Sequence, residues 1–294
     1  MKAFTAYLTG WKTALQHWRM WLGLYLITLL FALLAALPLR GFLSKTVGQS
    51  LAFSRSFEGF DYTFLRDFLR EYGQGFGAIM NQAVGYTILY LLFSVLLMGG
   101  ILSVIGQRER AFRWVDFWQG GLRFFWRMLR LTVYFLLLHG LVLAFFGFLF
   151  YRATKGFAPF ELESEAPILR AIRLFLPLYL LLAILVFMLH DYAKIHAVQV
   201  GRRWLFRPTL RAIRLVFRHF GKIALLYLLN VATFALLMVF YWWLSESLNS
   251  GAYFGMFLLG QGLAAGRVGL KLVNLGSATW LYQQLLNVHR WPSP

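Results

Sequence analysis

Between Ile223 and Leu244 the chain runs for 22 residues without a charged side chain. At about 1.5 Å per residue, a helix of that length crosses a hydrocarbon core of roughly 30 Å. Inside lipid only a helix or a closed barrel satisfies its own backbone, so this one run constrains the fold more than any other feature. Five further apolar runs repeat it, near residues 20–39, 83–106, 131–151 and 172–190 and within 252–288. The expected fold is all-α and polytopic: one integral membrane domain over 1–294, with six transmembrane helices and amphipathic interfacial helices between them. Composition agrees, since 60% of residues are hydrophobic against roughly 45–50% in soluble domains. The run at Met20–Leu39 is longer than a signal-peptide core and follows a 19-residue lead, so it reads as a retained first span.

Charge then orients the spans. Only 14% of residues are charged, yet the formal net charge is +18. A soluble nucleic-acid binder can be this basic but cannot keep six such apolar runs in water, so nucleic acid is not an expected partner. Alternating the connectors puts the N-terminus, residues 107–130, residues 191–222 and Arg290 on one side. That side holds 18 basic residues and three acids, the other 11 basic and eight acidic. Basic connectors stay cytoplasmic, so both termini are expected in the cytoplasm. The absence of cysteine excludes disulfides, thiolate metal sites and a cysteine nucleophile.

The odd-numbered spans share a lead-in. Before the fifth, Leu210, Ile213, Phe217 and Phe220 form an apolar stripe, with Arg207, Arg211, Arg214, Arg218 and Lys222 on another face. Before the first stand Leu8, Trp11, Leu15 and Trp18. Before the third stand Trp114, Trp118, Leu122, Phe125 and Leu129, with Arg123, Arg127 and Arg130 off that stripe. Such segments read as helices in the membrane interface, aromatic side in lipid and guanidinium side toward phosphates. Anionic phospholipid is the expected partner, with Arg123, Arg127, Arg211, Arg214 and Arg218 as its contacts. Trp18-Arg19-Met20 recurs as Trp126-Arg127-Met128, and His17-Trp18 and Leu24-Tyr25-Leu26 resemble His219-Phe220 and Leu226-Tyr227-Leu228. Two accounts fit these matches: three helical-hairpin repeats, or unrelated helices anchored alike by interfacial Trp, Arg and His. On the opposite side, Phe53, Phe57, Phe60, Phe64 and Phe68 predict a surface amphipathic helix. Residues 152–167 read as a loop, and Pro177 as a tolerated kink.

Chemistry-bearing residues are few. No Asp or Glu lies in mid-span, which argues against an ion-driven pump, although Asp191 stands at the end of the fourth span. The Asp191–Lys194 spacing allows a structural ion pair, or, beside His190, a headgroup or proton site. Arg267 and Lys271 share a helical face with Asn274 nearby. They suit an anionic group near the outer side or in a cavity between helices, or two cations snorkelling to water. Gly260 to Ala265 matches dinucleotide-fingerprint spacing but follows an apolar helical run instead of a strand. The pairs Gly251/Gly255 and Gly262/Gly266 read instead as close helix contacts, and Gly73/Gly77 as another or as a loosened loop. His139 is expected to hydrogen-bond across helices, through Asn230, with haem ligation the alternative. Glu161, Glu163 and Glu165 read as a solvated acidic patch, with a weak divalent-cation site the alternative. HExxH, GxSxG and Walker A motifs are all missing, so a non-enzymatic protein without cofactor is expected.

Asp191-Tyr192-Ala193-Lys194-Ile195, followed by Arg211-Ala212-Ile213-Arg214 and Phe217-Arg218-His219-Phe220-Gly221-Lys222, resembles a group of bacterial six-helix membrane proteins. The group includes YciC-like proteins and the membrane region of some glycerophosphoryl diester phosphodiesterases. The resemblance implies six-span topology and a bacterial inner membrane; it transfers no catalytic residue. The expected function is membrane or envelope maintenance or lipid handling. Alternatives are a transporter or permease subunit for an amphiphile, and a scaffold subunit associating with other membrane proteins or with itself.

Overall fold

The computed structural model describes residues 2–46, 62–107, 112–154, 166–200, 206–248 and 253–286. They form eight helices and no strand: α1 (Lys2–Gln16), α2 (Trp18–Thr46), α3 (Tyr62–Gly106), α4 (Trp114–Ala153), α5 (Ala166–Val200), α6 (Phe206–Arg218), α7 (Phe220–Ser247) and α8 (Tyr253–Leu286). The expected all-α architecture is the observed one. Six helices are long and apolar enough to cross a membrane: α2, α3, α4, α5, α7 and α8.

These helices are longer than the apolar runs. The 45 residues of α3 extend about 68 Å, and the 35 of α5 about 53 Å, against a hydrocarbon core of roughly 30 Å. In α3 and α4 the extra length has two sources. The lead-in before the third span is the first part of α4 itself. The aromatic stripe ending at Phe68 is not a separate surface helix, because from Tyr62 onward it is continuous with α3; its first residues, 53–61, lie outside the described residues. The lead-ins to the first and fifth spans remain separate. His17 parts α1 from α2, and His219, at φ −123° and ψ 29°, parts α6 from α7.

The chain forms two compact units. One, Leu22–Ser94, is an antiparallel pair made by most of α2 and α3. Phe31 meets Tyr90 and Phe93, and Phe42 meets Phe68. The other contains residues 2–21 and 95–286. In it α4 and α5 close antiparallel, with Phe135 stacked on His190 and Phe146 meeting Tyr179 edge to face. Helices α7 and α8 close likewise, Leu237 lying against Gly266. Each of α2–α3, α4–α5 and α7–α8 is thus an antiparallel pair.

Within this second unit most of the core lies at one end of the helices. On α5, Leu174, Leu178, Leu181 and Phe187 are exposed, whereas every residue from Tyr192 to Gln199 is buried. On α8, Phe254, Phe257 and Leu258 are exposed, and Leu272, Val273 and Leu275 are buried. Apolar belts this continuous face lipid, not water. The buried end is built by the lead-ins. Helix α1 packs on α8 and α7, and α6 packs on α5. The start of α4 lies antiparallel to the end of α3.

Small residues allow this approach. A Cβ on Gly10 would stand 2.5 Å from the Val273 carbonyl, and one on Gly100 2.7 Å from that of Phe117. One on Gly121 would stand 2.9 Å from the Leu96 carbonyl. Backbones this close leave no room for a side chain. The glycines singled out from spacing behave otherwise: Gly73, Gly77 and Gly262 have open space beside them, and Gly266 meets only a leucine side chain. Gly251 lies outside the described residues. Glycine spacing is visible in a sequence, but which helix face meets a neighbour is not.

Candidate functional site

Helix α6 carries three faces. Thr209, Ala212, Leu215 and Val216 are buried against protein. Leu210, Phe217 and, just beyond, Phe220 are exposed apolar residues, and Arg211, Arg214 and Arg218 are exposed on the remaining arc. Both stripes expected for this segment are accessible at their described side chains, with Ile213 half-buried; the Arg207 side chain lies outside the described ones. The protein-facing stripe of small residues is the addition. Helix α1 repeats two of the three faces: Ala3, Ala6, Gly10, Thr13 and Ala14 are buried, while Phe4, Leu8, Leu15 and, just beyond, Trp18 are exposed. Gly10, Thr13 and Ala14 precede His17 by the same steps as Ala212, Leu215 and Val216 precede His219. The start of α4 buries Phe117, Gly120, Gly121 and Phe124 and exposes Leu122, Trp126 and Arg123. The guanidinium groups of Arg123 and Arg127 lie over the Phe124 ring. Among the described residues no carboxylate lies within salt-bridge range of Arg123, Arg211, Arg214 or Arg218.

A second constellation lies where the packed end of the bundle meets the apolar belt. Asp191 on α5 accepts from Lys194 Nζ at 3.2 Å on Oδ1. Its Oδ2 accepts from Tyr227 of α7 at 2.8 Å and from Asn274 of α8 at 3.1 Å. Asn230 of α7 donates to Asn274 Oδ1 at 3.4 Å and to the Leu226 carbonyl at 3.0 Å. Three helices thus converge on one carboxylate whose side chain is 15% exposed, its lysine partner being 10% exposed. The expected Asp191–Lys194 pair exists, and it is one arm of a larger network. Lys271 stands one turn before Asn274 on α8, with its side chain exposed. Farther along α5, His196 hydrogen-bonds to Tyr282 of α8.

The fold therefore unites Asp191, Lys194 and Asn274, which come from two segments of the sequence. Arg267 stays apart, exposed one turn before Lys271. Asn274 lies level with Asp191, toward the Val200 end of α5, and Lys271 stands one turn before it on α8. A hydrogen bond between α5 and α8 can form only where both are at the same depth. Tyr227 was missed as a site residue, although with Asn230 it interrupts an uncharged span at helical spacing, a signal that marks intramembrane function. His139 does not reach Asn230. Its Nδ1 bonds to the Phe135 carbonyl of its own helix at 2.8 Å, and its ring rests on Phe187.

Six apolar helices of this length define the class: an α-helical multi-pass membrane protein. No protein-family model, curated protein or solved structure matches the chain.

Proposed function

We propose that this chain is a non-enzymatic protein of a bacterial cytoplasmic membrane that binds anionic phospholipid and serves membrane or envelope maintenance or lipid handling. Both termini lie in the cytoplasm in this reading, which the distribution of basic connectors supports. The observation that carries it is the three-faced lead-in: one face packed on protein, one apolar and exposed, one bearing arginines without a carboxylate partner among the described residues. Guanidinium groups held beside aromatic side chains at a bilayer surface find their counter-charge in lipid phosphate. The test is native mass spectrometry of the full-length protein from gentle detergent. Replacing Arg123, Arg127, Arg211, Arg214 and Arg218 together by Gln should strip anionic lipid while leaving zwitterionic lipid in place. Unaltered anionic lipid in that variant would overturn the reading.

A second reading, a transporter or permease subunit for an amphiphile, draws on the polar side chains along α7. Tyr227 and Asn230 belong to the Asp191 network, and Thr233, farther into the span, bonds to Tyr7 at 2.6 Å. Substrate-dependent protection of a cysteine introduced at Thr233 from a water-soluble thiol reagent would favour it; no reaction with or without substrate would remove it.

A further inference from the structure

Two cations of α8 stand deep in the membrane. Across the α7–α8 hairpin Asn230 meets Asn274 and Leu237 meets Gly266, so Lys271 is level with Thr233 and Arg267 with Leu237. Thr233 lies about ten residues inside the uncharged run from Ile223 to Leu244. That is roughly 15 Å from either end, farther than a lysine side chain can snorkel. Both side chains are exposed, and among the described residues no carboxylate lies within salt-bridge range of either. A cation at this depth is costly unless an opposite charge or water reaches it.

The face that carries them decides what can reach them. Lys271 and Arg267 continue, at helical spacing, the stripe of α8 whose Asn274 meets Asp191 of α5. On α5 the matching stripe runs from Asp191 to Phe187, Ile184 and Leu180, all three exposed and apolar. Both stripes are thus left open beyond the Asp191 contact. Farther along α8 the same stripe reaches Ala264 and Gly260, and a Cβ on Gly260 would have open space around it. Small residues four apart on a spanning face admit a second helix to close range, whereas acyl chains bring no charge to this depth. A second copy of this chain cannot supply the charge either. Its Asp191 is already taken by Lys194, Tyr227 and Asn274, and its other acids all lie outside the six apolar runs.

We propose that the α8 face bearing Arg267 and Lys271 docks a membrane-spanning helix of another protein, one that carries an Asp or Glu within its apolar stretch. The carboxylate pairs with the two cations inside the bilayer, where a low dielectric strengthens the attraction, and the helix packs over Gly260 and Ala264. The inference goes beyond the binding of anionic lipid and does not depend on the arginines of the lead-ins.

The experiment uses the full-length protein in phosphatidylcholine liposomes. Its probe is a synthetic spanning peptide of leucine and alanine with one central Asp, and binding is read by energy transfer between labels on the two. The Asp peptide should bind about tenfold more tightly than versions with Asn or Leu at that position, the worth of one charge-assisted contact. Arg267→Gln combined with Lys271→Gln should erase the preference, and Arg152→Gln, at the far end of α4, should leave it intact. Gly260→Leu keeps both cations and should still weaken binding of the Asp peptide; undiminished binding would mean that the site takes a small anion instead of a helix, which defeats the proposed partner. Equal binding of the three peptides, or a preference that survives in the double-Gln variant, would overturn the site altogether. Displacement of the peptide by added phosphatidylglycerol would assign the two cations to lipid and overturn the proposal as well. The five-arginine variant should bind the Asp peptide like the parent chain, so this site and the lipid reading of the lead-ins fail separately.

Discussion

At Asp191 the chain holds an ionised group away from water and answers it with three donors from three helices. A buried pair is weak evidence of net stability, but removing one partner is expensive because the other charge stays behind. Asp191→Ala is therefore expected to destabilise the folded protein by about 3–5 kcal/mol in denaturant unfolding from mixed micelles. Tyr227→Phe, which removes one charge-assisted hydrogen bond and keeps the ring, should cost about 1.5–3 kcal/mol. The double change Asp191→Leu with Lys194→Met should recover much of the loss of Asp191→Ala. Failure to recover would mean that the pair stabilises the fold beyond the cost of an orphaned lysine.

His17, at the junction of α1 and α2, makes a different prediction. Its Nδ1 is buried and meets no hydrogen-bond partner among the described residues, and burial holds its pKa below the ordinary imidazole value. The unfolded chain therefore binds a proton near pH about 6.5 while the folded chain still resists it. Stability attributable to His17 is complete above that pH and is lost as pH falls below it. The melting temperature should drop between neutral and mildly acidic pH, and His17→Gln should flatten that part of the profile. A profile of the same slope in both proteins would exclude His17 as its source.

For the helices, the decisive contacts are between backbones. Gly121 faces the Leu96 carbonyl, and Gly10 faces that of Val273; neither backbone can move aside without shifting its helix. Gly121→Leu and Gly10→Val are expected to lower folded yield sharply, each by the roughly 1–3 kcal/mol or more that overpacking costs. Gly262→Ala, with open space around it, should be silent in the same size-exclusion and thermal assays. A severe effect at Gly262 would mean that another chain packs there. The apolar and basic stripes of α6 were legible in the sequence because a helix repeats every 3.6 residues and long side chains announce their face. The third stripe, Ala3, Ala6, Gly10 and Ala14 in α1 with Ala212 in α6, was equally periodic. Small side chains carry little hydropathy signal, so it reads as background until a neighbouring helix is known.

The whole molecule is governed by its contrast between a lipid-facing belt and a packed end. If the basic connectors are cytoplasmic, a fluorescent-protein fusion should fluoresce at either terminus, and an alkaline phosphatase fusion there should be inactive. Activity of the phosphatase at either end would invert the topology.

The chain by itself determined that it is helical, that it crosses a membrane six times, and that basic amphipathic segments precede alternate spans. All three follow from properties local in sequence: the length of uncharged runs and the period of a helix. It could not determine that Asn274 meets Asp191, that Tyr227 joins them, or that Gly10 and Gly121 are the close contacts where Gly262 is not. Those depend on which faces of distant helices come to the same depth, and in a chain this uniformly apolar no single residue states that. Only antiparallel closure of the hairpins, and the docking of each lead-in on the helix beside it, decided it.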